Sequence, residues 1–357
     1  MSGEETCVAT GGAKVFAPSA QLSLSVAMAT YNGERYLVEQ LESLLRQTRQ
    51  PDELIVSDDG STDRTCELVQ SFAAKAPFPV RLLANSRNLG VNGNFDRAIA
   101  ACRGGIVFPC DHDDVWLPQK IERMADVLER HPTAAMLISN SEIVDQELRS
   151  TGRGLYTLRF PQTEKLHRRG VETVRFLLTS WAVAGHTMAF RRVPALAMPA
   201  SRIAVDCTYD FVRALVAGAT HDIATIPDRL TKYRRHQAQV TNLWSLPPTP
   251  LERLRRKMRN IFASEKNALS ESKKFARDLL QVCEGLRELG ADHDVTDFLR
   301  QRADMVLFQA NLRLRPRVQR VPGIVLGLLG GRYHKYAGGV LTALQDACLS
   351  PVSGPAR

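Results

Sequence analysis

Over the first 140 residues, short apolar runs alternate with stretches whose apolar positions recur every 3.6 residues, a pattern that predicts β-α-β units around a mostly parallel sheet. Residues 22–29 (LSLSVAMA) read as the first buried strand, followed by a helix marked by Leu37, Leu41, Leu44 and Leu45. A second strand covers 54–56, with Ser61 or Thr62 placed to cap the helix after it. The third covers 80–83, and Phe95, Ile99 and Cys102 mark the inner face of the next helix. The fourth covers 106–108. Pro118 then stands in the first turn of a helix carrying Ile121, Met124, Ala125 and Leu128, and 135–138 is the fifth strand. Beyond it the pattern loosens: 145–170 is polar and irregular, 171–180 helical, and 185–190 a strand. A turn-rich joint at 246–250 (LPPTP) precedes charged, helix-favouring stretches that run to about residue 312. The expected organisation is a flexible segment over 1–20, an α/β domain over 21–245 and a basic, mainly helical region over 246–357.

Composition sharpens this picture in three places. At 357 residues and 44% hydrophobic, the chain can bury one large core and a smaller one. The longest apolar run, 321–330, is well short of the roughly 20 residues that span a bilayer, and 1–20 lacks the basic start and apolar stretch of a secretory signal. Seven cysteines, odd in number and without a C-x-x-C pair, suggest neither a zinc site nor a disulfide framework and suit a reducing cytoplasm. A thiolate at Cys110, beside an acidic cluster, would be electrostatically disfavoured.

The net charge of +9 sits in the C-terminal part: residues 251–357 carry 19 Lys and Arg against 11 Asp and Glu, whereas 1–250 are nearly neutral. Arg253, Arg255, Arg256, Lys257, Arg259, Arg313, Arg315, Arg317 and Arg320 admit two readings, docking to anionic lipid headgroups or a lipid-diphosphate acceptor, or solvated helix faces. A nucleic-acid-binding protein is the alternative that the charge raises, but the chain has no zinc-finger, basic-zipper or RNA-recognition signature.

Ligands of open α/β sheets bind at the carboxyl ends of the strands, and three polar motifs fall there. Thr30-Tyr31-Asn32-Gly33-Glu34 follows the first strand, Ser57-Asp58-Asp59-Gly60-Ser61 the second and Asp111-His112-Asp113-Asp114 the fourth. Asp111, Asp113 and Asp114 repel one another unless a cation is present, and an oxygen-rich site of this kind suits Mg²⁺ or Mn²⁺ holding a diphosphate. Asp58 and Asp59 could accept hydrogen bonds from a base or a ribose, although Asp-Gly-Ser is read equally well as a turn. Trp116 reads as core packing more readily than as a platform for a sugar.

Together these motifs resemble family 2 glycosyltransferases of the GT-A fold, especially the bacterial branch of rhamnosyltransferases and related surface-polysaccharide enzymes. The resemblance rests on VAMATYNGERYL (26–37), ELIVSDDGSTDRT (53–65), NSRNLGVNGNF (85–95) and CDHDDVWLPQKI (110–121), in family order, and then on GHTMAFRR (185–192), TYDFVRALVA (208–217) and IPDRLTKYRRHQAQVT (226–241). It implies an α/β GT-A fold and an inverting, metal-dependent transfer from a dTDP-, UDP- or GDP-linked sugar, with rhamnose inherited from the branch. The implied acceptor is a surface polysaccharide or its lipid-linked precursor, met at the cytoplasmic face of the membrane.

Residue by residue, the resemblance puts Thr30, Tyr31, Glu34 and Asp58 against the nucleotide, and Asp111, Asp113 and Asp114 at the metal and diphosphate. Asp210 matches the catalytic base and His236 a loop closing over the diphosphate, with Arg234 and Arg235 as neighbouring sources of positive charge. Two departures stand out. His112 stands where the family often has Gln or another residue, and Tyr209-Asp210-Phe211 replaces a more usual His-Asp-aromatic run, which leaves Asp206 as a rival base. On spacing alone Asp210 reads as a helix N-terminal residue and His236 as an ordinary loop histidine. A nucleotidyltransferase would want a Gly-rich, Lys- or Arg-bearing loop after the first strand, which 30–34 is not. A glycoside hydrolase would want two separated carboxylates.

Overall fold

The computed structural model describes residues 7–10, 13–16, 22–156, 160–180, 183–193, 208–237, 239, 268–337 and 340–348. They divide between two compact units, the first holding the described residues up to Gln239 and the second those from Ala268 onward. The joint expected at 246–250, the basic residues from Arg253 to Arg259 and the rival base Asp206 fall outside the described residues. Within the segment expected to be flexible at 1–20, β1 (Cys7–Thr10) and β2 (Ala13–Phe16) pair as an antiparallel hairpin.

The large sheet of the first unit begins with β3 (Leu24–Thr30) and β4 (Glu53–Asp58), buried at every position as strands covered on both faces must be. Helix α1 (Leu37–Leu45) links them and buries Leu37, Leu41 and Leu44; Leu45, one step further round the helix, turns out to solvent. Helix α2 (Thr65–Ala73) leads to β5 (Val80–Ala84), and α3 (Gly90–Ala101) to β6 (Ile106–Asp111). Neither Ser61 nor Thr62 caps α2; Asp63 instead accepts from the Thr65 amide at 3.0 Å, and the Ser61 hydroxyl is engaged by Asp58.

Next come β7 (Val115–Trp116), α4 (Lys120–Arg130) with Ile121, Met124, Ala125 and Leu128 fully buried, and β8 (Ala134–Val144), nearly three times the expected length. The stretch read as irregular contains β9 (Ser150–Gly154) and β10 (Lys165–His167). Helix α5 (Val171–Ser180), a 3₁₀ turn at Gly185–Thr187, β11 (Met188–Arg191), α6 (Tyr209–Thr220) and β12 (Asp222–Arg234) complete the unit.

The strand order is β10-β12-β8-β11-β6-β3-β4-β5, with β7 on β12 and β9 on β8. Strands β5, β4, β3 and β6 are mutually parallel, and β11 enters antiparallel between β6 and β8. The register sets the site: Thr30 lies opposite Asp58, and Ala29 opposite Asp111. The carboxyl ends of three strands are therefore level, which brings their polar motifs to one edge of the sheet.

The second unit is helical, as the composition predicts, and continues well beyond residue 312. Helices α7 (Ala268–Glu288) and α8 (His293–Arg313) pack together, followed by α9 (Arg317–Leu329), α10 (Arg332–Tyr336) and α11 (Val340–Cys348). Met305, Leu312, Ile324, Tyr333 and Ala343 form a core around a fully buried Asp346. That carboxylate accepts from Gln309 at 2.7 Å, from the Arg313 guanidinium at 3.1 Å and from the Tyr333 hydroxyl at 3.1 Å. Of the residues expected on a solvated or lipid-facing surface, Arg320 thus belongs to the interior of this unit and Arg313, partly exposed, turns its guanidinium inward to Asp346.

Candidate active site

The loops after β3 and β4 are joined by hydrogen bonds between the motifs themselves. The Thr30 hydroxyl donates to Asp58 at 2.8 Å, and the Ser61 amide and hydroxyl donate to the same carboxylate at 2.9 and 2.6 Å. Burial pushes the Asp58 carboxyl up, but these donors outweigh it and hold the group below its usual value. Asn32 takes a left-handed conformation (φ 47°), its amide donating to the Ser61 hydroxyl and its side chain accepting from the Thr62 amide, each at 2.9 Å. Tyr31 is half exposed at this edge, while the Glu34 carboxylate accepts from the Arg64 amide at 3.2 Å.

Asp59 differs from the expectation of a nucleotide contact. It is 4% exposed, and its oxygens accept from the Asn85 side chain and the Leu89 amide at 2.7 Å and from the Gly90 amide at 2.9 Å. Both oxygens are occupied by protein donors, so this carboxylate holds the 85–90 loop. Asn94, one turn into α3, bonds Asn85 at 3.1 Å and the Thr30 carbonyl at 3.2 Å, which ties the 85–95 segment to the motif after β3.

The carboxylates after β6 point in two directions. Facing inward, Asp114 is fully buried and accepts from the Arg234 amide at 3.0 Å, while its second oxygen has no hydrogen-bond partner. His186, from the 3₁₀ turn, presents Nδ1 to Asp114 at 3.6 Å and to Asp111 at 3.9 Å, and ligand atoms of the three residues all lie within 4.8 Å. Its Nε2 meets the Ser141 hydroxyl at 3.1 Å and its ring stacks on Tyr233. Burial, aided by Lys120, holds His186 down to about 3, so the imidazole is neutral. Lys120 is itself buried, donating to the His186 carbonyl at 2.5 Å, and burial lowers it to about 7. The sequence reading missed His186 and Lys120; both lie in quoted motifs, GHTMAFRR and CDHDDVWLPQKI, but neither residue type stands out there.

Facing outward are Asp111, its side chain 35% exposed, and Asp113, 14% exposed. His236 Nε2 meets the Asp113 carboxylate at 2.8 Å. Burial raises Asp113, but the His236 hydrogen bond with the charges of His112 and His236 outweighs it and keeps the carboxyl below its usual value. Asp111 has no such partner: burial first, then the charges of Asp113 and Asp210, push it up to about 8. Trp116 is 2% exposed beneath this group, with the Lys120 ammonium 3.9 Å over its ring, which rules it out as a sugar platform. Arg234 is equally buried, its guanidinium engaged by Glu39 and the carbonyls of Asp113 and Gln146, and does not reach outward to a phosphate.

Asp210 lies in the first turn of α6, where Thr208 is the cap. Its carboxylate accepts from the Gly185 amide at 2.9 Å, the Phe211 amide at 2.8 Å and the Thr208 hydroxyl. Burial raises its proton affinity despite these donors. Beside it, Tyr209 is buried and stacked on Phe95 with centroids 3.9 Å apart. Gly185 makes this possible, since a Cβ there would meet the Tyr209 hydroxyl at 1.8 Å. Gly185→Ala should therefore lower stability by about 1–3 kcal/mol by overpacking and displace Asp210 with its neighbour. Thermal denaturation checks this, and an unchanged midpoint would mean that the 3₁₀ turn has room to move.

Comparison with known proteins agrees with this architecture. The model of glycosyl transferase family 2 matches residues 25–197. An uncharacterised protein of Mycobacterium tuberculosis is 31% identical over 216 residues, covering 60% of this chain and 59% of that protein. The chain thus spans under two thirds of the length of such curated relatives. An uncharacterised glycosyltransferase of Nostoc is 32% identical over 124 residues, 35% of this chain and 38% of its own length. Among solved structures, S. aureus TarS residues 1–349 in complex with UDP-GlcNAc superposes with a TM-score of 0.57 at 18% identity, over 91% of each chain, a likeness of GT-A fold. The strand-end motifs at 30–34, 57–61 and 111–114 all lie inside the segment that matches glycosyl transferase family 2, so residues 25–197 are similar to that family's domain.

Proposed function

We propose that this chain transfers a sugar from a nucleoside-diphosphate donor to an acceptor hydroxyl, with inversion and with the help of a divalent cation. The observation that carries the reading is the level register of Thr30, Asp58 and Asp111, which gathers the motifs at one edge of the sheet, where Asp111 and Asp113 keep part of their side chains exposed. Two partly exposed carboxylates beside an imidazole form a hard donor set that suits Mn²⁺ or Mg²⁺ carrying phosphate oxygens. The burial and the neighbouring charges of Asp113 and Asp210 that push Asp111 up, and the unpartnered oxygen of Asp114 behind it, fit a site in want of positive charge.

Asp111 and Asp113 would hold the ion, with His236 alongside; when bound, it supplies charge to offset the negative charge developing on the departing diphosphate. Thr30, Tyr31, Glu34 and Asp58 line the nucleotide side in this reading. Asp210, held by the Gly185 amide and raised in proton affinity by burial, takes the proton of the acceptor hydroxyl as its oxygen attacks the anomeric carbon. The bond from that carbon to the diphosphate breaks on the opposite face, and the configuration inverts. A cytoplasmic setting is supported by the free thiols of Cys66, Cys102, Cys110 and Cys283. A rhamnosyl donor and a polysaccharide or lipid-linked acceptor rest on the motif resemblance.

Thermal denaturation with UDP, dTDP or GDP, each with and without Mn²⁺, tests the reading. One nucleotide should raise the thermal midpoint in the presence of the ion, by about 2.7 kcal/mol of stability at a hundred times its dissociation constant. Absence of a rise with all three, on folded protein, would remove the donor site.

A further inference from the structure

Helix α9 is inside out. Between Val318 and Leu329 its one charged residue, Arg320, is fully buried and donates to the carbonyls of Arg313, Arg315 and Asp346 at 3.0, 2.8 and 2.9 Å. The outward face is apolar, with Val318 83%, Leu326 70% and Leu329 81% exposed, and Val321 and Val325 on the same side. A helix facing water has the opposite arrangement. Leu314 extends the patch at one end, and Val340 and Leu344 are exposed on α11, the helix packed against it. A contiguous apolar surface of this kind marks an interaction site.

The charges around the patch select its occupant. Residues 314–348 contain Arg315, Arg317, Arg320, Arg332 and Lys335 against a single acid, and that acid, Asp346, is fully buried and bonded within the unit. Every exposed Arg, Lys, Asp or Glu of this stretch is therefore positive: Arg315 and Arg317 before the apolar face, Arg332 and Lys335 after it. A second copy docking on the same face would set one cationic rim against another. An anionic lipid surface accepts both features, acyl chains for the valines and leucines and phosphates for the rim. With 13 residues α9 is about 20 Å long, short of the ~30 Å hydrocarbon layer, and no described helix is long and apolar enough to cross a membrane.

We propose that the outward face of α9 seats the chain on an anionic bilayer, lying in the interface. This reading differs from one based on basic charge alone, because Arg313 and Arg320 face inward and the apolar face supplies the contact. It is independent of the donor site.

The test is co-sedimentation of the full chain with vesicles of phosphatidylcholine alone or mixed with phosphatidylglycerol. The wild type should bind the mixed vesicles at least about tenfold more tightly than the neutral ones. Val318→Glu combined with Leu329→Glu should lose about tenfold or more on the mixed vesicles, and so should Arg315→Gln combined with Arg317→Gln. All four side chains are exposed, so melting should not change; if the glutamates lower it, Val318→Ser with Leu329→Ser replaces them. No binding to mixed vesicles, or equal binding by wild type and the apolar-face variant, would overturn the proposal. So would a lipid-free dimer that the same variant dissociates, which would assign the face to a second copy. Nucleotide-dependent stabilisation, measured on the same samples, shows separately whether the donor reading stands.

Discussion

Turnover of Asp210→Asn should fall by about 10² to 10⁴-fold while metal-dependent nucleotide binding stays within about twofold of the wild type. The side chain is nearly isosteric, so the change removes a proton acceptor and leaves the volume alone. It also disturbs three hydrogen bonds, because the carboxylate accepts from the Gly185 amide, the Phe211 amide and the Thr208 hydroxyl. An amide has one accepting atom, so at least one of these donors loses its partner, at a cost of about 1–3 kcal/mol if it stays buried. The measurement is therefore threefold: release of nucleoside diphosphate from the sugar donor, nucleotide affinity and the thermal midpoint. Loss of turnover with affinity retained assigns Asp210 to the chemistry. Loss of both, with a falling midpoint, would make it a brace for the 3₁₀ turn, and Asp206→Asn would then be the variant to assay as the rival base.

Much of this site was legible in the chain because its information is local. Strands β3, β4 and β6 are apolar runs bounded by polar residues, and the motifs follow them directly, so placement at strand ends needed only the period and the β-α-β rule. What escaped was set by distant pairing. His186 joins Asp111 and Asp114 because β11 inserts antiparallel between β6 and β8, a topology that no periodicity in residues 185–191 encodes. Asp59 and Asp58 are adjacent acids in one turn, yet only the loop at 85–90, far along the chain, decides that Asp59 turns to the protein. Helix α9 misleads for a related reason: an apolar run normally predicts a buried face, and only the packing of Asp346 and Arg320 reveals that the charge lies inside and the valines outside.

Asp113→Asn should abolish the Mn²⁺-dependent part of nucleotide stabilisation and lower turnover by about 10² to 10³-fold, whereas Asp114→Asn should keep the ion response. Several kcal/mol of charge compensation at the leaving group are at stake, which sets the size of the loss. Access separates the two residues. Ligand atoms of Asp111, Asp114 and His186 lie closest together, but Asp114 is fully buried and His186 3% exposed, so only the Asp111 side of that group is open to a diphosphate. Asp111 and Asp113 keep exposed carboxylate surface, and His236 stands 2.8 Å from Asp113. Asp114 carries another burden: burial and the charges of Asp113 and Asp111 hold its carboxyl well above the usual range, so an uncharged amide that still accepts from the Arg234 amide should leave the ion-free protein no less stable. Titration of Mn²⁺ against each variant, with and without the nucleotide identified for the wild type, decides the matter. A response lost in Asp114→Asn and kept in Asp113→Asn would move the ion inward to Asp111 and His186 and leave His236 the task of bracing Asp113.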